Sequence, residues 1–140
     1  AAAEAVADEA ERLSVIRPKL LAVTVLTSID ADEWQKLGHT NSISQSVLTM
    51  AVAAKAAGMD GTVSSPHEAA EIRRLSGPDF LIVTPGIRPS FAQSNDQKRV
   101  TTPKEAIQNG ATHLVIGRPI TKAADPQEAA RAIMEEIREV

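Results

Sequence analysis

The stretch Phe80-Leu-Ile-Val-Thr84, followed after a long loop from Pro85 to Thr101 by Thr102-Pro-Lys-Glu105, contains a whole strand-to-helix transition. Phe80 to Thr84 is short, apolar and β-branched, as a buried strand is. Thr102 offers a hydroxyl N-cap, and Glu105 can close a capping box at the third helical position. Pro103 sits at the first position, where its missing N–H costs nothing. This predicts a helix closing near Gly110. The same pattern of Ser, Thr or Asp, then Pro, then any residue, then Glu recurs at Ser65 to Glu68 and at Asp125 to Glu128. It predicts helices from Ser65 to about Leu75 and from Asp125 onward, the last with the stripe Ala129, Ile133, Ile137. A strand-like run precedes each: Gly61-Thr-Val-Ser64 and His113-Leu-Val-Ile-Gly117. Further back, Leu20-Leu-Ala-Val-Thr-Val-Leu-Thr27 predicts a strand buried on both faces, as in a parallel sheet. After a polar stretch from Ser28 to Gly38, Ser42 can cap a helix to Ala57, with Gln45 in the box and Gly58 as a C-cap. Ala1 to Leu13 reads as a helix with no N-cap, so the chain is expected to open inside a helix, as if cut from a longer one. The order α-βα-βα-βα-βα implies a parallel sheet with right-handed crossovers. No linker divides residues 1–140, which are expected to form a single domain.

Composition narrows the function. The chain has 140 residues, enough for one domain with its own core. A net charge of −3 argues against a basic nucleic-acid surface, and the three aromatic residues, Trp34, Phe80 and Phe91, cannot build a base-stacking platform. There is no Cys, which excludes disulfides, thiolate nucleophiles and zinc–thiolate sites and fits a cytoplasmic location. No apolar run reaches the length of a membrane span, so no membrane partner is expected. The first residues carry acids and lack a basic region, unlike a signal peptide.

In parallel α/β folds the ligand sits at the carboxyl ends of the strands. That rule selects Thr27 and Ser28, Ser64 and Ser65, the run Thr84-Pro-Gly-Ile-Arg-Pro89 with Asp96-Gln-Lys-Arg99 beyond it, and Gly117-Arg-Pro-Ile-Thr121. The last two fit an anion site. Arg88 and Arg118 are charged forks that match a phosphate, Gln97 can donate to an oxygen, and Gly117 lets a ligand approach the backbone. These arginines could equally be solvated or pair with Asp96 or Asp125. His67-Glu68 lacks a second His for a zinc motif and reads as a helix start. Trp34 reads as a packing anchor, and no nucleotide-loop or nucleophile-elbow motif occurs.

Ala22-Val-Thr-Val-Leu-Thr-Ser28, Val83-Thr-Pro-Gly-Ile-Arg-Pro89, Asp96-Gln-Lys-Arg99 and Val115-Ile-Gly-Arg-Pro-Ile-Thr121, in this order, closely resemble bacterial orotidine 5'-monophosphate decarboxylase. The resemblance covers essentially the whole chain. It implies a (β/α)8 TIM barrel of which this chain supplies about four βα units, similar to strands 5 to 8. It also implies a homodimer that converts orotidine 5'-phosphate to UMP and CO2 without metal or organic cofactor. Arg88, Gln97, Gly117 and Arg118 match phosphate-binding positions. Thr27, with Ser28 beside it, matches a pyrimidine-binding position, and Pro85 a wall of the base pocket. The family's catalytic Asp-x-Lys-x-x-Asp array has no counterpart here: Asp96-Gln-Lys98 is followed by Arg99, Val100 and Thr101. The resemblance therefore implies substrate-binding residues, no catalytic ones, and a missing N-terminal half-barrel as partner. Two other expectations remain: a non-catalytic half-barrel that binds nucleotide phosphate or self-associates, and a related phosphate-sugar enzyme such as a hexulose-phosphate synthase. The Asp-Gln-Lys-Arg and Ile-Gly-Arg-Pro-Ile-Thr segments favour the decarboxylase over the latter.

Overall fold

The computed structural model describes residues 2–91 and 101–138. Its elements are α1 (Ala2–Arg12), β1 (Leu21–Val23), α2 (Ala31–Lys36), α3 (Ile43–Ala56), β2 (Gly61–Val63), α4 (Ala69–Ser76), β3 (Leu81–Thr84), α5 (Pro103–Gln108), β4 (His113–Leu114), α6 (Arg118–Thr121) and α7 (Pro126–Arg138). The strands form one parallel sheet in the order β1-β2-β3-β4. The expected parallel α/β architecture is present, and two short helices, α2 and α6, add to the expected order.

Register fixes what each face of the sheet carries. Ala22 pairs with Thr62 and Thr62 with Ile82, while Thr84 pairs with Leu114. Since side chains alternate along a strand, these residues share one face. Ile82 on that face packs with Val47, Ala51, Ala69 and Ile72 of α3 and α4, together with Val25, Trp34, Ile43 and Phe80. Leu114 packs with Ile87, Ala106 and Ala111 beside α5. The opposite face carries Leu21, Gly61 and Leu81 in one row and Val23, Val63, Val83 and His113 in the next. A Cβ on Gly61 would lie 2.2 Å from the Leu81 carbonyl oxygen, so only glycine fits beneath Leu81. Among the described residues this second face has no helix layer: Val23 is 66% exposed and Val115, beyond β4, 51% exposed.

Several local expectations are corrected. The run from Leu20 to Thr27 forms a strand only at Leu21–Val23, and it is not buried on both faces. Among the described residues β1 is an edge with no neighbour on its outer side, and a parallel strand needs cover on both faces to be enclosed. Val25 and Thr27 are buried beyond the ladder, where the chain turns toward α2. The polar stretch from Ser28 to Gly38 contains α2, on which Asp30 and Glu33 close a capping box. The Ser65 to Glu68 signature does not cap a helix. Ser65 Oγ accepts from the His67 amide at 3.3 Å, and Glu68 Oε1 accepts from Ser44 Oγ at 3.0 Å. With the carboxylate drawn to α3, residues 66–68 form a separate turn and α4 starts at Ala69. The run His113 to Gly117 is a strand only at His113–Leu114. The other boxes form as expected on α3 and α5, and Asp125 Oδ1 accepts from the Gln127 and Glu128 amides at 2.9 and 3.0 Å. Trp34 is a packing anchor: it is buried, donates Nε1–H to the Asn41 carbonyl at 3.0 Å, and stacks on His39 with ring centres 3.6 Å apart.

The amino ends of the strands are tied by polar bonds. Before β1 and β2, Asp60 accepts from the Leu20 amide at 2.8 Å, from Arg17 at 2.8 and 3.0 Å, and from Lys19 at 3.3 Å. The Leu20 amide, then the two cations, hold its carboxyl down at about 2. Before β3 and β4, Arg73 donates to the Pro78, Phe80 and Gly110 carbonyls at 2.9, 2.8 and 3.0 Å. Because the folded pKa of Asp60 lies below its ordinary 3.8, its contribution is present above that value and is lost as pH falls toward 2. Urea titrations should therefore show stability falling over that window by on the order of 2 kcal/mol from this group. In Asp60→Asn that contribution should be absent at every pH, and an unchanged acid limb would refute the assignment.

Candidate functional site

Parallel pairing gathers the carboxyl ends of all four strands on one rim. Thr27 and Ser28 follow β1, Ser64 and Ser65 follow β2, Pro85 to Arg88 follow β3, and Gly117 and Arg118 follow β4. The two arginine-bearing segments leave adjacent strands, since Val83 pairs with His113 and Thr84 with Leu114. Gln97 lies outside the described residues, as do Asp96, Lys98 and Arg99.

The segment after β3 is held tightly. Gly86 has φ +78, a conformation that glycine adopts without the steric cost of a Cβ. The turn there sends the chain from the strand to Ile87, which is fully buried against α5 through Ala106. Ile87 bridges Thr101 in parallel fashion, and the Arg88 amide donates to the Thr101 carbonyl at 2.9 Å. The Arg88 side chain is drawn inward, 8% exposed, with Nη1 donating to the Ile87 carbonyl at 2.8 Å. A guanidinium so held is oriented before a ligand arrives and loses less freedom on binding. Thr101 was not among the residues that motif reasoning selected. Its signal is the doubled Thr101-Thr102, of which the helix cap needs only one.

The segment after β4 turns directly into α6. Gly117 is its N-cap, and its carbonyl accepts from the Ile120 and Thr121 amides at 2.9 and 3.0 Å. A Cβ built on Gly117 would meet nothing within 4 Å, so packing does not demand glycine here. The space over its backbone is open to a ligand. Arg118, the first residue of α6, is half-buried, which leaves part of its fork accessible. Thr27 is buried and Ser28 exposed. Pro85 is half-buried beside the Gly86 turn.

Other places are less suited to chemistry. A hollow of about 590 Å³ opens between α4 and α5, lined by Pro66, His67, Thr101, Glu105, Gln108 and Asn109. It contains none of the rim residues selected above. The Glu105 carboxylate there is lowered below its usual range, chiefly by Thr101 and Thr102, and acts as a cap. Among the described residues no group of three His, Cys, Asp or Glu could hold a metal ion, and no helix is long and apolar enough to cross a membrane.

A parallel sheet with helices on one face and arginine-bearing turns on the carboxyl rim has the arrangement of part of an α/β barrel. Comparison with known proteins supports this. Residues 1–133 match the model of the Orotidine 5'-phosphate decarboxylase / HUMPS family, and the chain belongs to that family. It is 56% identical over 121 residues to an orotidine 5'-phosphate decarboxylase of Trichlorobacter lovleyi, covering 86% of this chain and 50% of the relative. It is 50% identical over 138 residues to one of Moorella thermoacetica, covering 98% and 55%. Among solved structures it resembles orotidine 5'-phosphate decarboxylase from Lactobacillus acidophilus, with TM-score 0.72, 42% identity, and 88% and 50% of the two chains covered. The chain thus spans about half the length of the curated relatives it matches. Its fold is that of a (β/α)8 TIM barrel family, of which it contains four parallel strands.

Gly86→Ala should lower the urea midpoint by an amount equivalent to about 1 to 2 kcal/mol, because alanine resists a positive φ. An unchanged midpoint would show that the turn needs no glycine.

Proposed function

We propose that this chain is the phosphate- and pyrimidine-binding half of an orotidine 5'-phosphate decarboxylase, the lyase of pyrimidine biosynthesis that yields UMP and CO2. The observation that carries this is the convergence of Thr27, Pro85, Arg88, Gly117 and Arg118 on one rim of a sheet whose sequence is 50–56% identical to proteins of that name. Arg88 and Arg118 would bind the 5'-phosphate through charge-assisted forks. Gln97 would add a neutral donor, and Gly117 would admit the phosphate close to the backbone. Thr27 and Ser28 would take polar atoms of the pyrimidine, and Pro85 would wall the base.

The chemical step needs groups from elsewhere. The carbon–carboxyl bond breaks, CO2 leaves, and the electron pair left on the ring carbon takes a proton from a lysine ammonium. That lysine belongs to the Asp-x-Lys-x-x-Asp array absent from residues 1–140. In this reading the chain alone binds nucleotide weakly at most and does not decarboxylate it. Remote phosphate contacts lower the barrier only once the reacting centre is complete. A complementary N-terminal half-barrel would complete it by covering the face that bears Val23, Val63 and Val83 and by pairing with the edges of β1 and β4. The working enzyme would be a cytoplasmic homodimer that needs no cofactor. The exposure of Val23 at 66% also supports a second reading, in which the chain is a non-catalytic half-barrel that covers this face by self-association.

Arg118→Ala should weaken UMP binding, measured by calorimetry, by about 1.5 to 3 kcal/mol, the worth of one charge-assisted contact. Equal affinity in the variant would sink the phosphate assignment. Val23→Lys should shift the stability of the chain by no more than about 0.5 kcal/mol, as an exposed position allows. It should abolish the orotate ultraviolet loss that mixing with a family N-terminal half restores. Restoration by the variant equal to that by the unaltered chain would remove the inner face from the assembly.

A further inference from the structure

Arg88 reaches the rim through a chain of bonds that begins on α5. The Glu105 carboxylate closes the capping box of that helix, accepting from the Thr102 amide at 3.0 Å and from Thr102 Oγ1 at 2.9 Å. A capping box needs only the N-cap residue as its partner. Here the same Oε2 also accepts from Thr101 Oγ1, at 2.7 Å, one residue ahead of the cap. In α2 and α3 the described box bonds are the reciprocal pair between N-cap and third residue. The added bond fixes Thr101, whose carbonyl accepts from the Arg88 amide at 2.9 Å. The side chain preceding Arg88 is anchored to the same helix, since Ile87 packs on Ala106. Helix α5 thus grips the segment after β3 by its backbone and by a side chain.

We propose that Thr101 and Glu105 are positioning residues for Arg88, which hold its backbone at the rim so that its guanidinium meets a phosphate group in a preset place. This rests on the reading of Arg88 as a phosphate ligand. Preorganising a charged fork raises affinity because less freedom is lost on binding. Neither residue touches the ligand: Thr101 acts through its carbonyl, and Glu105 acts through Thr101.

The decisive variant is Thr101→Val, which removes the hydroxyl and leaves the Thr102–Glu105 cap in place. Thr101→Ser keeps the hydroxyl. Both are made in the whole 140-residue chain. Two quantities are read: UMP affinity by calorimetry, and amide hydrogen exchange at Arg88 with Ile72 as reference. Ile72 donates to the Glu68 carbonyl at 3.0 Å, within α4 and away from α5. Thr101→Val should weaken UMP by about 3- to 10-fold, the range of one net hydrogen bond. It should speed exchange at Arg88 and leave Ile72 unchanged, and Thr101→Ser should restore both. Unchanged UMP affinity overturns the proposal. So does faster exchange at both amides, which reports general loosening. If the unaltered chain does not bind UMP, the functional reading fails on its own terms. Exchange then decides the positioning: a serine-rescued change confined to Arg88 sustains it, and no change at Arg88 overturns it.

Discussion

Parallel pairing of four consecutive strands is the constraint on which the remaining features depend. A parallel neighbour can be reached only by a crossover, so every strand must hand the chain to a helix that returns it to the starting edge. The two rims of the sheet then have different work. At the amino rim the segments before the strands are locked by polar bonds: Asp60 between Arg17, Lys19 and the Leu20 amide, and Arg73 across the carbonyls of Pro78, Phe80 and Gly110. At the carboxyl rim the turns carry arginines, glycines and hydroxyls. The bonds that lock the segments and the open polar turns thus lie at opposite ends of the same strands, the carboxyl ends being where parallel α/β folds take their ligands.

The same constraint leaves one face unfinished. Crossover helices cover the side that carries Ala22, Thr62, Ile82 and Leu114, while Leu21, Val23, Val63 and Val83 lie on the other. Parallel sheets are normally covered on both faces, and exposed strand edges invite pairing. The chain spans half the length of relatives such as that of Trichlorobacter lovleyi, and an uncovered inner face is what a half-length barrel has. The arginines of the rim do not depend on that cover. Arg88 is held by Thr101 and α5, and Arg118 opens α6, so both are positioned by contacts inside this half.

Much of this was legible in the residues. The boxes at Ser42/Gln45 and Thr102/Glu105 formed where spacing placed them, and Asp125 capped α7. The same spacing is present at Asp30 and Glu33, where α2 starts inside a stretch that its polarity alone left unassigned. At Ser65 to Glu68 the pattern misled, because Ser44 of α3 offered the carboxylate another donor. Of the rim residues, Thr27, Ser28, Pro85, Arg88, Gly117 and Arg118 stand where strand polarity put them. Thr101 left only the doubled Thr101-Thr102 as a trace, since its part depends on a carbonyl bond to Arg88, far along the chain.

The sequence by itself determined the alternation of the four strands with their longer helices, the starts of α3, α5 and α7, and the residue types at each strand end. Those follow from bonds between groups three or four positions apart, and such spacing is written in the chain. Tertiary structure alone decided that β1 stops at Val23, that Glu68 turns to Ser44, and that Arg88 is held through Thr101. Each depends on which distant donor or acceptor lies within about 3 Å once the helices pack, and no local spacing carries that distance.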